Sequence, residues 1–159
     1  MPMLAVIWRA GNLLFATGVD SVVEVLPPLA WSPTPTVPVW VRGLFSHRGR
    51  LTPLVDASAL LGVSPPPDRM SNRVLVVRCT LGAGSAPCAA GLWVQSVVEL
   101  ERLDFAAAGS HPGFSTDTGR FLGPVTQTRW GQVQLVKPED LFTPEQAAVL
   151  ADRLKGAAA

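Results

Sequence analysis

The sequence predicts an all-β protein with a short internal helix and a C-terminal helix, built from two small β-barrels of the same kind. Short runs rich in Val, Leu and aromatic residues recur along the chain, and turn residues separate them. In addition, VVEVLP near residue 22 is echoed by VVELER near residue 97, and each follows a pair of predicted strands. A period of about 75 residues is too long for a solenoid, so two similar barrels explain it better.

In the first half of the chain, the predicted strands end where proline or glycine breaks the pattern. Pro27-Pro28 stops the third strand because proline cannot donate a hydrogen bond to a ladder. A hairpin turn is predicted at Arg48-Gly49-Arg50, where Gly49 suits a positive φ. Asp56 can cap the short helix ASALL, and Gly62 can end it. The predicted strands are 4–8, 13–17, 22–26, 41–47 and 51–56, with a Pro-rich ordered loop at 31–40 and a turn at 64–68.

The second half repeats the strand pattern and ends in the clearest helix of the chain. Thr143 is predicted as the N-cap, Pro144 as the first helical residue, and Gln146 as the partner in a capping box. The Gly- and Ser-rich stretch 109–119 is predicted to be a mobile loop, and 155–159 a disordered tail. The predicted strands are 72–80, 88–94, 97–103, 120–127 and 132–137.

The composition is that of one domain that is more apolar than most soluble domains. The chain has 159 residues, the length of one ordinary domain. Its hydrophobic fraction is 48% and its charged fraction 16%, so we expect part of the apolar surface to face a partner. The net charge is +1, and like charges form no run. Because nucleic-acid binding requires a basic stripe, the sequence argues against a nucleic-acid partner.

No stretch of the sequence is typical of a membrane anchor or a secretion signal. The longest uncharged stretch, 79–98, is interrupted by glycine and proline, and 25–41 carries five prolines. The N-terminus lacks a basic region, and Arg9 interrupts its apolar residues. We therefore expect a cytoplasmic protein without direct membrane insertion. Cys79 and Cys88 fit that compartment as two reduced thiols, placed to face each other across a hairpin.

No group of residues has the spacing of a catalytic, cofactor or metal site. The sequence contains no GxGxxG, P-loop or HExxH motif, and two Cys with two distant His are too few to hold a metal. Ser46 and His47 are adjacent on a predicted strand, which places their side chains on opposite faces and argues against a Ser–His couple. We expect His47 and His111 to be surface histidines without a catalytic role. The sequence thus predicts no enzyme, no cofactor and no metal.

The segment GLFSHRGRLTPLVDASALLG, residues 43–62, is the most informative of the chain. It contains the pattern G-x-x-x-x-R-G-x-x-x-P-x-x-D; VVEVL precedes it, and NRVLVVR and GLWVQSVVEL follow it. Together these segments resemble the CheW-like domain of the coupling proteins of bacterial chemosensory arrays, from about residue 3 to residue 142. The segment FAAAGSHPGFSTDTGRFLGPV is more similar to accessory coupling proteins of Wsp-type surface-sensing systems.

The resemblance implies two five-stranded β-barrels of the Src-homology type around a shared hydrophobic core, in a single domain over residues 3–154. It implies a non-catalytic adaptor that couples the cytoplasmic tips of methyl-accepting chemoreceptors to a CheA-type histidine kinase. Such an adaptor would be recruited from the cytoplasm to membrane-associated receptor arrays. Four residues match family positions tied to receptor coupling: Val22, Glu24, Gly43 and Arg48. Glu24 and Arg48 match a bridging pair, so we expect Arg48 to be partly buried against Glu24.

The residues before the Arg-Gly turn depart from the family pattern. The family more often has Asn-Leu or Asn-Tyr there, whereas this chain has Ser46-His47, which bears on partner choice more than on fold. The predicted coupling residues are Val22, Glu24, Gly43, Ser46, His47, Arg48 and Gly49.

The residues alone leave two other classes of function open. One is a β-barrel that binds a small ligand or an oligonucleotide, which salt-dependent binding to RNA or single-stranded DNA would support. The other is an enzyme that uses His47, which loss of turnover in His47→Ala would support.

Overall fold

A computed structural model of the chain describes residues 2–35, 37–63, 68–79, 88–106 and 121–158. The predictions for the 64–68 turn, apart from Asp68, for the 109–119 loop and for His111 lie outside the described residues. The strands are β1 Met3–Ala10, β2 Leu13–Gly18, β3 Val22–Leu26, β4 Val41–His47, β5 Arg50–Asp56, β6 Arg73–Cys79, β7 Cys88–Val94, β8 Ser96–Leu103, β9 Leu122–Thr128 and β10 Gly131–Val136; the helices are α1 Ala57–Leu61 and α2 Pro144–Ala158.

The strands form two five-stranded sheets of the same topology. Sheet 1 has the order β8-β1-β2-β10-β9, and sheet 2 has the order β3-β6-β7-β5-β4. Each contains one parallel contact, between β10 and β2 in sheet 1 and between β5 and β7 in sheet 2. The predicted fold class is thereby confirmed, with one refinement. Within the described residues no ladder joins β3 to β4 or β8 to β9, so each barrel of the Src-homology type is open between its edge strands.

Each sheet contains three strands from one half of the chain and a hairpin from the other half. The hairpin of β1 and β2 completes the sheet formed by β8, β9 and β10, and the hairpin of β6 and β7 completes the sheet formed by β3, β4 and β5. The two echoing segments near residues 22 and 97 are β3 and β8, which occupy corresponding edges. The repeat read from the sequence is therefore real, but neither half of the chain forms a barrel alone.

One hydrophobic cluster joins the sheets, as the resemblance implied. It combines Trp8 and Phe15 of sheet 1 with Val55 and Leu92 of sheet 2, and Leu150 of α2 packs on it. Two smaller clusters fill the individual sheets: Ala5, Ile7, Leu14, Ala16, Leu103 and Val133 in sheet 1, and Phe45, Leu54, Val74, Val76 and Trp93 in sheet 2. Because the shared cluster draws on both sheets, each stabilises the other.

Both helices begin where their capping residues predict. The Asp56 carboxylate accepts hydrogen bonds from the amides of Ser58 and Ala59, and Gly62 ends α1 in the left-handed conformation. Thr143 and Gln146 form the reciprocal capping box of α2, at 3.2 and 3.0 Å.

Helix α2 continues to Ala158, through positions that the sequence analysis assigned to a disordered tail. The Ala-rich composition of this end favours helix, because alanine has the highest helix propensity. The assignment of a single domain to residues 3–154 remains a prediction. Among the described residues, no helix is both long and apolar enough to span a membrane.

Candidate functional site

The β4–β5 hairpin ends in a two-residue turn, one residue shorter than predicted. His47 pairs with Arg50, so only Arg48 and Gly49 lie in the turn. Their φ angles are 52° and 77°, which is the type I′ geometry that matches the twist of the flanking strands. Arg48 has the only positive φ among the described residues other than glycine. The neighbours therefore hold Arg48 in a conformation that a free arginine seldom adopts.

The side chains of Glu24, His47 and Arg48 meet, and we call this group the sheet 2 clasp. His47 Nε2 lies 2.8 Å from Glu24 Oε2, and Arg48 Nη2 lies 3.3 Å from the same oxygen. Glu24 belongs to the edge strand β3, whereas His47 and Arg48 belong to the hairpin of the opposite edge strand β4. The clasp therefore connects the two edges between which the ladder of sheet 2 is open.

His47 and Arg48 differ in burial, and this corrects the expectation for Arg48. The Arg48 side chain is 69% exposed, so it contacts Glu24 without being partly buried. The His47 side chain is only 12% exposed, and it tilts toward Phe45 at 6.4 Å between ring centroids. His47 is thus the packed partner of Glu24, and not the surface histidine that the sequence predicted.

The clasp favours the ionised form of Glu24. The hydrogen bond with His47 is the largest cause that lowers the pKa of the Glu24 carboxyl, and the nearby charge of Arg48 lowers it further. Partial desolvation acts in the opposite direction without reversing the shift. In a hydrogen bond between His47 Nε2 and the ionised Glu24 carboxylate, the Nε2–H group is the donor, because a carboxylate can only accept.

Gly43 lies beneath the Pro-rich loop and cannot carry a side chain. A Cβ atom there would lie 2.0 Å from the backbone oxygen of Ser32. Ser32 and Leu44 exchange two backbone hydrogen bonds of 2.8 Å, which fasten the loop to β4. Gly43 is buried, so any part it has in coupling is indirect, through the position of this loop.

The structure separates the other predicted residues. Val22 is half-buried against the shared cluster and pairs with Val77. Ser46 is exposed on the face of β4 opposite His47, where it lines a groove of about 420 Å³ with Trp31, Pro33 and Leu51. The seven predicted coupling residues thus fall into three groups. Four form the clasp and its turn, two are packed inside sheet 2 (Val22 and Gly43), and Ser46 lines the groove.

Arg42 is a structural residue of this region that the sequence analysis missed. Its guanidinium carbon lies 4.5 Å from the ring centroid of Trp93 and 5.8 Å from that of Trp31, and its Nε is 3.3 Å from the Asp56 carboxylate. The side chain is only 17% exposed. Arg42 therefore links the Pro-rich loop to β7 and to the cap of α1. The only sequence signal was an arginine within a predicted strand beside buried positions.

Sheet 1 carries a similar contact between its own open edges, which we call the sheet 1 clasp. Arg129, in the β9–β10 turn, lies 3.4 Å from the carboxylate of Glu101 on β8. The Arg129 guanidinium also lies over the Trp130 ring, at 4.3 Å from its centroid. At the strand position before the turn, Thr128 stands where sheet 2 has His47.

Neither clasp has the arrangement of a metal site or of a nucleophile beside its base. In the part of the chain that the structure describes, no three His, Cys, Asp or Glu side chains form a metal-binding group. Ser46 lies on the opposite strand face from His47. What the geometry does supply is a hairpin with an exposed arginine in its turn, whose strands also line a groove through Ser46 and Leu51, a combination that suits recognition of another protein.

The chain belongs to the CheW-like domain family, because the model of that family matches residues 5–146. This is a family of non-catalytic scaffold and adaptor proteins of chemotaxis-type signalling.

The chain is similar to a curated relative and to proteins of known structure. The relative is the protein PilI of Pseudomonas aeruginosa, which is 39% identical over 70 residues, or 44% of this chain. The match spans only 39% of the length of PilI. One of the structures is the crystal structure of the scaffolding protein TtCheW from Thermoanaerobacter tengcongensis, with a TM-score of 0.75 and 22% identity. The superposition covers 92% of this chain and 91% of that chain. At this identity the likeness shows the fold alone.

Proposed function

We propose that the chain is an adaptor that holds a CheA-type histidine kinase and the cytoplasmic tips of methyl-accepting chemoreceptors in a fixed relative geometry. In this proposal it acts in the cytoplasm at membrane-associated receptor arrays, without catalysis and without a cofactor. The observation that carries the proposal is the sheet 2 clasp. Two of its members were assigned to receptor coupling by sequence position, and the hairpin of one edge strand is held to the opposite edge strand through Glu24.

The clasp and the groove divide the task of recognition. His47 is packed against Glu24 and orients the hairpin, whereas most of the Arg48 side chain is exposed and accessible to a partner. The groove beside Ser46 exposes Trp31 and Leu51, at 37% and 41%. Tryptophan and arginine are among the residue types that most often form the energetic centre of protein interfaces. We infer that Arg48 contributes charge and orientation, and that the groove contributes apolar contact area.

Binding measurements on matched arginine variants test the proposal. Arg48→Ala should weaken capture of a receptor cytoplasmic fragment and of the kinase by at least about tenfold, which corresponds to about 1.4 kcal/mol. Arg50→Ala is the matched control, because Arg50 is exposed at the other end of the same turn and lies outside the clasp. Both variants should unfold at nearly the wild-type urea concentration.

Two outcomes would contradict this assignment. The first is Arg48→Ala binding both partners as the wild type does. The second is an equal loss of affinity in Arg50→Ala and Arg48→Ala, which would mean that the removal of any positive surface charge weakens binding. Co-purification of wild-type protein with neither partner would reject the adaptor function itself.

A cavity on sheet 1 favours a second candidate function, the binding of a small ligand. It has a volume of about 620 Å³, within the range of ligand sites, and Leu13, Phe15 and Trp130 line it together with Arg9 and Gln132. Isothermal titration with small apolar anions would support this candidate if binding were lost in Trp130→Ala. Unchanged binding in that variant would remove it.

The finer resemblance to accessory coupling proteins of Wsp-type systems stays a prediction. Most of the segment that carries it lies in 107–120, outside the described residues.

A further inference from the structure

Cys79 and Cys88 face each other where β6 ends and β7 begins. They are direct partners in the antiparallel register, and their Sγ atoms are 3.0 Å apart. A disulfide bond is about 2.05 Å long, so the sulfur atoms lie only about 1 Å beyond bonding distance. Small rotations about the two Cα–Cβ bonds therefore suffice to join them, with no change in strand register.

The two thiols differ in how accessible they are. Cys79 is buried in the shared cluster, whereas Cys88 is half-buried at its border. The contact with Cys88, followed by burial, raises the pKa of the Cys79 thiol. Because the thiolate is the attacking species, Cys79 is protected from direct reaction with an oxidant in solution. An accessible sulfur beside a protected one is the arrangement of an attacking and a resolving cysteine.

We propose that Cys79 and Cys88 form a redox modification site, which closes reversibly to an intramolecular disulfide by exchange with a small-molecule disulfide such as oxidised glutathione. The Cys88 thiolate first bonds to one sulfur of the oxidant and expels the other as a thiolate. The Cys79 sulfur then gives up its proton, bonds to Cys88 Sγ and expels the second thiolate. The protein loses two protons and two electrons, and the oxidant is reduced to two thiols.

Strand β6 connects this site to the clasp region. Val77 pairs with Val22 of β3, and the side chain of Arg78 donates a hydrogen bond to the backbone oxygen of Asp20, just before β3. A disulfide bond at Cys79 would restrain the C-terminal end of β6, the strand that pairs with β3. The inference goes beyond the adaptor function, because the disulfide can form whichever partner the chain binds.

Equilibration of the purified full chain in glutathione buffers of increasing oxidised fraction tests the site. We expect the intact mass to fall by two hydrogen atoms, both cysteines to resist maleimide labelling, and a Cys79–Cys88 cross-linked peptide to appear after digestion. The thermal unfolding midpoint should rise by roughly 5–10 °C, because the bond closes a short loop and lowers the entropy of the unfolded chain. Excess dithiothreitol should restore both thiols and the original midpoint.

Two single variants separate the roles of the sulfur atoms. Cys79→Ala should accumulate a glutathione adduct on Cys88, since the resolving sulfur is gone. Cys88→Ser should stay unmodified, since the remaining thiol is buried. The proposal is overturned if wild-type protein keeps both thiols in excess oxidised glutathione, stops at the adduct, or forms only cross-linked dimers. A lower unfolding midpoint after oxidation would also overturn it, because the geometry would then not accommodate the bond.

Discussion

The two sheets close their open edges with similar contacts but stabilise them in different ways. In sheet 2, Glu24 contacts a packed histidine and an exposed arginine. In sheet 1, Glu101 contacts one exposed arginine, which stacks over the ring of Trp130. The topology is the same, and in both sheets the cation is presented by a two-residue turn. The difference shows that the fold requires only some contact across the open edge. The additional packed partner at His47 is a property of one hairpin, and it fixes that hairpin more tightly.

The largest difference between the sheets is expected at the glycines of β4 and β9. Gly43→Ala would place a Cβ atom 2.0 Å from the backbone oxygen of Ser32 and should lower the free energy of unfolding by at least about 3 kcal/mol. Gly123→Ala is the matched change in sheet 1, where a Cβ would meet the movable side chain of Leu135 at 3.2 Å. That variant should lose less than half as much. Urea unfolding of both variants checks the prediction, and equal losses would contradict it.

The second effect compares a packed arginine with an exposed one. Arg42→Ala removes the stacking on Trp93 and leaves Asp56 without its cation, so we expect a loss of about 2 kcal/mol in unfolding free energy. Arg129→Ala removes a contact whose arginine is 69% exposed, and it should cost less than about 1 kcal/mol. Chemical denaturation with tryptophan fluorescence measures both. An Arg129→Ala variant as unstable as Arg42→Ala would contradict the prediction, because the exposed arginine would then stabilise the fold as much as the packed one does.

A smaller effect is expected in the titration of Glu24. His47→Ala should raise the pKa of the Glu24 carboxyl toward its ordinary value more than Arg48→Ala does, because the hydrogen bond with His47 is the largest cause of the shift. Carbon-detected NMR titration of the Glu24 carboxyl provides the measurement. A larger rise in Arg48→Ala would mean that the exposed arginine, and not the packed histidine, holds the carboxylate.

The smallest expected effect is the change in the free energy of unfolding with pH in the acidic range. The folded-state pKa of Glu24 is lower than its unfolded value, so the stabilisation is complete above the ordinary pKa of 4.5 and is lost as the pH falls through the lowered value. Glu24→Gln should therefore show a weaker loss of stability below pH 4.5 than the wild type does. Unfolding midpoints in a series of acidic buffers test this, and parallel curves for the two proteins would contradict it.

Local sequence signals identified most elements of this fold. The ten predicted strands correspond to the ten observed ones, and the caps Asp56 and Thr143 lie where their helices begin. These strand and cap predictions are correct because strand alternation and helix capping depend on residues that are close in the chain. The turn at Arg48-Gly49 was predicted one residue too long. Arginine rarely adopts a positive φ, so its presence in the sequence does not indicate a two-residue turn.

The sequence by itself determined the positions of the strands along the chain, the helix caps, the family and the contact between Glu24 and Arg48. Only the tertiary structure decided that the halves exchange hairpins, that His47 is the packed partner of Glu24, and that Arg42 holds the Pro-rich loop. The physical reason is distance along the chain. β6, β7 and β5 lie between β3 and β4 in sheet 2, so the contacts between these two edge strands depend on the curvature of the whole sheet.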